Sequence, residues 1–175
     1  ITLSRSMGSC TFPAQFILLG TQNPCPCGYF NSKKGECKCT AYQISQYQKK
    51  LSGPILDRID LSFYVPEVDL EKISGSISEE RSVQIRNRVI EARQRQYLRF
   101  KDDNILINAQ MNGLHLKKHC QLSQPVQQLL VRSANRLSLS ARAYYRLIKV
   151  SRTIADLEGA ENIEIDHLAE ALQLR

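Results

Sequence analysis

Four cysteines lie within fifteen positions: Cys25, Cys27, Cys37 and Cys39, two C-x-C pairs separated by nine residues. A disulfide framework normally spreads its cysteines through a small secreted domain. This clustering instead favours four thiolates on one metal in a reducing compartment, that is, a cytoplasmic protein. Zinc accepts four thiolates tetrahedrally. With every position filled by sulfur no site is left to activate water, so the expected metal is structural Zn2+ stapling a loop. Four reduced thiols without metal, or two disulfides, remain open on spacing alone. Lys33, Lys34 and Lys38 would offset part of the site's negative charge. Cys10 and Cys120 stand apart and are expected to be buried small hydrophobes.

Four other side chains could do chemistry. Asn23 follows the apolar run PAQFILLG, which reads as a buried strand, and a polar group at a strand's carboxyl end sits where open α/β sheets bind ligands. Before Pro24 it could equally shape a turn. Arg58 lies between Asp57 and Asp60 in LDRID and, on these residues alone, suits a structural ion pair. Arg142 falls two residues past Ser140 and would pass for a solvated helix residue. Arg5 is an arginine on a hairpin strand.

The elements that must position these groups can be read along the chain. Ile1 to Ser4 and Ser9 to Ala14 flank Ser6-Met7-Gly8, which suggests a β-hairpin with Gly8 in the turn. Gln15 to Thr21 follows as the buried strand, and Pro24, Pro26 and Gly28 then exclude regular structure until Thr40. Thr40 caps a helix bearing Tyr42, Ile44, Tyr47 and Leu51. A helical turn, PILDRI, leads to a second strand at Asp60 to Val65. Pro66 to Ser78 reads as a linker.

Beyond the linker the pattern is helical. From Glu79 to Lys101 a stripe of Ile85, Val89 and Ala92 is expected to be buried. Seven basic residues against three acids give that segment a local balance of +4, and Arg81, Arg88 and Arg95 recur as one solvated stripe. Short helical structure follows at Gly113 to His119. Ser123 caps a helix with Pro125 in its first turn and Val126, Leu129, Leu130 and Leu137 inside. Ser140 caps the next, with Tyr144, Leu147, Ile148, Ser151, Ile154 and Ala155 as its stripe and Gly159 as its end. Asp166 caps the last.

The chain has 175 residues, 42% hydrophobic and 23% charged, with a formal charge of +7. That is globular composition with a basic excess suited to phosphates, whether of nucleotide or nucleic acid. No run approaches the roughly 18 apolar residues of a membrane span. The chain opens without Met, inside what reads as structure, so a fragment of a longer protein is expected.

The motifs NPCPCGY with CKC, LSGPILDRIDL, LSARAYYRLIKVSRTIADLEG and HLAEALQLR together resemble the magnesium-chelatase-like AAA+ proteins of the ComM (YifB) type. The resemblance covers essentially the whole chain. It implies the C-terminal part of an AAA+ α/β core at residues 1–68, with the cysteine insertion at 25–39, followed by a helical lid at 69–175. It also implies a ring-forming, hexameric ATPase using ATP and Mg2+, acting on DNA as a branch-migration helicase in natural transformation. On this resemblance Asn23 corresponds to the sensor-1 residue that orients the attacking water. Arg58 corresponds to the arginine finger, Arg142 to the sensor-2 arginine, and Arg5 to a pore-facing DNA contact.

One part is missing. A phosphate-cradling G-x-x-x-x-G-K-[ST] loop requires Lys after Gly, and none of the eight glycines is followed by one. In the family that loop lies upstream, so these 175 residues are expected not to hydrolyse ATP by themselves. Two other readings remain: a non-enzymatic zinc-containing nucleic-acid-binding module, and a magnesium-chelatase ATPase subunit.

Overall fold

The computed structural model describes residues 1–33, 35–51, 53–67 and 80–175. Two compact units divide the chain, Ile1–Lys50 and Leu51–Arg175. The linker expected at Pro66 to Ser78, and the domain division at 68 and 69 with it, falls largely on residues 68–79, outside the described residues.

The first unit opens with the expected hairpin. Strands β1 (Thr2–Arg5) and β2 (Gly8–Thr11) pair antiparallel, Thr2 opposite Thr11 and Arg5 opposite Gly8. Hydroxyls face each other across one side, Thr2 with Thr11 at 3.0 Å and Ser4 with Ser9 at 2.9 Å. The turn is Ser6-Met7. Gly8, at φ +143, begins β2 rather than sitting in the turn, a conformation that favours glycine. Cys10, on β2, is exposed and not the buried hydrophobe expected.

The apolar run from Gln15 to Thr21 forms no strand, and Ile17 and Leu19 are 94% and 91% exposed. A strand is held by the backbone groups of its neighbours. Among the described residues β1 and β2 pair only with each other, and no strand pairs with this run. Helix α1 (Ala41–Gln48) starts where Thr40 predicts. The Thr40 hydroxyl accepts from the Gln43 amide at 3.2 Å, and Gln43 Oε1 accepts from the Thr40 amide at 2.9 Å.

The second unit begins with the single turn α2 (Gly53–Leu56), continued by amide bonds from Asp57, Arg58 and Ile59 to Gly53, Ile55 and Leu56. The strand expected at Asp60 to Val65 is also absent. One amide there, Ser62, donates to the Leu174 carbonyl at 2.7 Å, and Phe63, Tyr64 and Val65 are exposed. Both strand expectations rested on apolar runs whose sheet partners these residues do not supply.

Five helices follow: α3 (Ser82–Arg99), α4 (Gly113–His119), α5 (Gln124–Arg136), α6 (Ala141–Glu158) and α7 (Ile165–Gln173). A 3-10 turn, Asn108–Gln110, precedes α4. Caps explain most of the boundaries. Asn112 Oδ1 accepts from the Leu114 and His115 amides, Ser140 Oγ accepts from Ala143, and Gly159 closes α6 at φ +81. At α7 the cap is Glu164 rather than Asp166. The Glu164 amide donates to His167 Nδ1 at 2.8 Å, and Asp166 lies in the first turn, where its charge meets the helix N-terminus.

The core of this unit gathers Leu130, Val126, Leu147, Ile154, Ile163 and Leu168 with Phe100, Met111 and Cys120. The α6 stripe is buried as its spacing requires, with Tyr144 at its margin. Leu137 ends α5 exposed, not inside it. On α3 only Ala92 and Gln96 are buried, and Ile85 and Val89 are half exposed. The first two turns of α3 therefore do not carry the buried stripe that the i, i+4, i+7 spacing suggests.

Candidate functional site

The cysteine loop is built by its prolines and one glycine. Pro24 and Pro26 restrict the backbone, and Gly28 takes φ +84, where its amide donates to the Cys25 carbonyl at 3.1 Å. The turn folds Cys25 and Cys27 onto Cys37 and Cys39. All four sulfurs lie within 4.8 Å of one another, with Cys25–Cys27 at 3.4 Å, Cys27–Cys37 at 3.6 Å and Cys25–Cys37 at 3.8 Å. A disulfide needs about 2 Å, so these are not bonded pairs. A tetrahedron of sulfurs about 2.3 Å from a zinc ion has edges of about 3.8 Å, which matches.

The donor set also fits a cation electrostatically. The backbone amide at Tyr29 holds the Cys27 thiol down, to about 6. At Cys39 the Cys27 backbone amide favours the thiolate, yet burial and the adjoining sulfurs of Cys27 and Cys25 push the thiol up to about 12. Four sulfurs this close resist ionising together unless a positive ion lies between them. Cys25 is fully buried and also accepts the Phe30 amide at 3.4 Å. Gln48, at the end of α1, donates to the Pro24 carbonyl at 3.3 Å and ties that helix to the loop.

The other expected site residues are all exposed. Asn23 precedes the first C-x-C pair, and Arg5 ends β1 one residue before the hairpin turn. Arg58 follows α2, and Arg142 lies in the first turn of α6. The flanking acids of Arg58 are held by other arginines. Arg175 Nη2 meets Asp57 Oδ1 at 3.2 Å, and Arg146 Nε meets Asp60 Oδ1 at 2.6 Å. Arg146 also donates through Nη1 to the Ile59 carbonyl at 2.8 Å. Burial lowers the pKa of Arg146, with Asp60 opposing.

Two polar groups that the sequence reading passed over prove central to the helical unit. Asp156 on α6 is fully buried and is bound by Arg99, by Arg152 at 3.1 Å and by Asn108 Nδ2 at 2.8 Å. Arg152 spends its remaining donors on the Glu161 and Ala160 carbonyls, both at 2.7 Å. The Asp156 carbonyl accepts from Arg95 Nη1 at 2.9 Å, so Arg95 and Arg99 anchor α3 to α6 and are not part of a solvated stripe. Arg88 does lie outward, paired with Glu80. A sequence signal existed: Arg152 and Asp156 stand at i, i+4 within the apolar stripe, where an isolated charge is costly and a pair is not.

A segment with four clustered cysteines followed by an LDRID turn and a helical lid is the C-terminal part of an AAA+ protein. Residues 79–175 match the family described as magnesium chelatase, subunit ChlI C-terminal, and residues 1–73 match magnesium chelatase, subunit ChlI. The chain is 40% identical over 176 residues to "Uncharacterized protein YifB" of Salmonella typhimurium and 39% identical to "Competence protein ComM" of Haemophilus influenzae. It is 38% identical to YifB of Escherichia coli. Each match takes in 100% of this chain and 33% or 34% of the relative, so the chain spans about a third of those proteins' length. The chain belongs to the magnesium-chelatase-like family of ComM and YifB proteins. No helix among the described residues is long and apolar enough to cross a membrane.

Proposed function

We propose that these residues are part of a cytoplasmic, ring-forming ATPase that moves on DNA, and that they supply its sensors and finger rather than its phosphate cradle. The observation that carries this is the Arg58 turn. It is fixed on both sides by lid arginines through Asp57, Ile59 and Asp60, while the Arg58 side chain is exposed. A guanidinium presented from a held turn suits a finger reaching a neighbouring subunit's nucleotide. Phosphoryl transfer needs positioned water and neutralised charge more than covalent help from the protein.

In this reading Asn23 orients water as sensor 1 and Arg142 contacts phosphate from the lid as sensor 2. Arg5, beside the hairpin tip and Met7, faces DNA in the pore of a homo-hexamer. The basic excess of +7 supports a polyanionic partner. ATP and Mg2+ would supply the transferred phosphoryl group and its charge neutralisation. Cys25, Cys27, Cys37 and Cys39 would hold Zn2+, which supplies a cross-link and no reaction chemistry. The division into core and lid falls at residues 68 and 69. The relative named a competence protein suggests DNA uptake and branch migration as the setting.

The test is Arg58→Ala in a protein of the relatives' full length that contains this sequence. Turnover should fall on the order of 10³-fold with ring size unchanged. Undiminished turnover removes Arg58 from the mechanism.

A further inference from the structure

Arg142 and Arg146 stand one turn apart on α6. The first is exposed; the side chain of the second is only 10% exposed. Arg146 uses its fork twice on the turn that follows α2, through Nε to Asp60 at 2.6 Å and through Nη1 to the Ile59 carbonyl at 2.8 Å. Two further ties join the end of the lid to the same stretch: Arg175 to Asp57 at 3.2 Å, and the Leu174 carbonyl to the Ser62 amide at 2.7 Å. Arg58 is thus bracketed in sequence by four residues that the lid holds, Asp57, Ile59, Asp60 and Ser62.

We propose that Arg146 is a positioning residue for Arg58, linking the lid helix that carries Arg142 to the turn that carries the finger. The proposal rests on the reading of Arg58 and Arg142 given above and adds a route between them. A nucleotide touched by Arg142 biases the placement of α6. The helix is rigid over one turn, so Arg146 moves with it and takes Ile59 and Asp60 along. The grip does not rest on the ion pair alone, because Asp60 is 68% exposed and exposed pairs are weak. The carbonyl bond from a mostly buried guanidinium fixes the turn, and a lysine ammonium lacks the planar fork that serves both acceptors.

A double-mutant cycle tests this, with ATP turnover measured in a protein of the relatives' full length that contains this sequence. Arg146→Lys should lower kcat by about ten- to a hundredfold while KM for ATP holds, because a small displacement of a catalytic group is that costly. Asp60→Asn, on an exposed side chain, should fold normally and lower kcat less, since the carbonyl bond remains. The same substitutions in an Arg58→Ala background should have no further effect, since a finger that is absent cannot be misplaced. Equal losses in both backgrounds would mean that Arg146 only supports the fold, and intact kcat in both variants would also overturn the proposal. If Arg58→Ala abolishes turnover while these variants do not, the link fails and the finger reading stands. If Arg58→Ala is fully active, both fail.

Discussion

The two compact units are ordered by different means. Among the described residues of 1–50 the only fully buried side chain is that of Cys25, and the apolar residues Phe16, Ile17, Leu18 and Leu19 are exposed. The organising contacts there are four sulfurs, a two-stranded hairpin and one capped helix. In residues 51–175 a core of apolar side chains surrounds α6, and a buried carboxylate collects two arginines and an asparagine. An isolated hairpin is marginal in water, and a short loop cannot bury enough surface to offset its lost entropy. The first unit therefore depends on its sulfur cluster, where the proposed Zn2+ would act, whereas the second is sustained by packing and satisfied polar groups.

That contrast can be broken most directly at the metal. Chelation, or Cys25→Ser, should disorder residues 24–39, a large effect since structural zinc contributes about 10 kcal/mol or more in small domains. Helical circular dichroism from the second unit should hardly change. Zinc absent from protein purified under reducing conditions, measured by elemental analysis, would remove the metal from the account. A chelator that melted both units together would dissolve the distinction.

The next largest effect belongs to the second unit. Asp156→Ala leaves Arg99 and Arg152 facing each other without their shared carboxylate. It should destabilise that unit by about 3–5 kcal/mol, read from urea unfolding followed by circular dichroism. The cysteine loop should still bind zinc. A loss under about 1 kcal/mol would show that the network matters less than the apolar core around it.

The smallest is local. Gly159 closes α6 in the left-handed region, and a Cβ there would approach Arg95 Nη2 to 2.9 Å. Gly159→Ala should cost about 1–2 kcal/mol through backbone strain, and more if Arg95 must release the Asp156 carbonyl. Pairing it with Arg95→Ala separates the two contributions, since the crowding then disappears and only the strain remains.

Local chemistry was legible in the sequence wherever neighbours along the chain decide the outcome. Thr40, Ser140 and Gly159 mark helix ends because their partners lie three or four residues away. The α6 stripe was readable from its spacing, and the C-x-C pairs announced their convergence because two tight turns leave the sulfurs few places to go. The tertiary structure alone decided what joins distant positions. Arg146 and Asp60 lie far apart in sequence, as do Arg99 and Asp156, and no periodicity links them. It also decided which apolar runs become strands. The stretches at 15–21 and 60–65 have strand composition, but a strand exists only where another backbone meets its hydrogen bonds, and that is a property of the partner, not of the run.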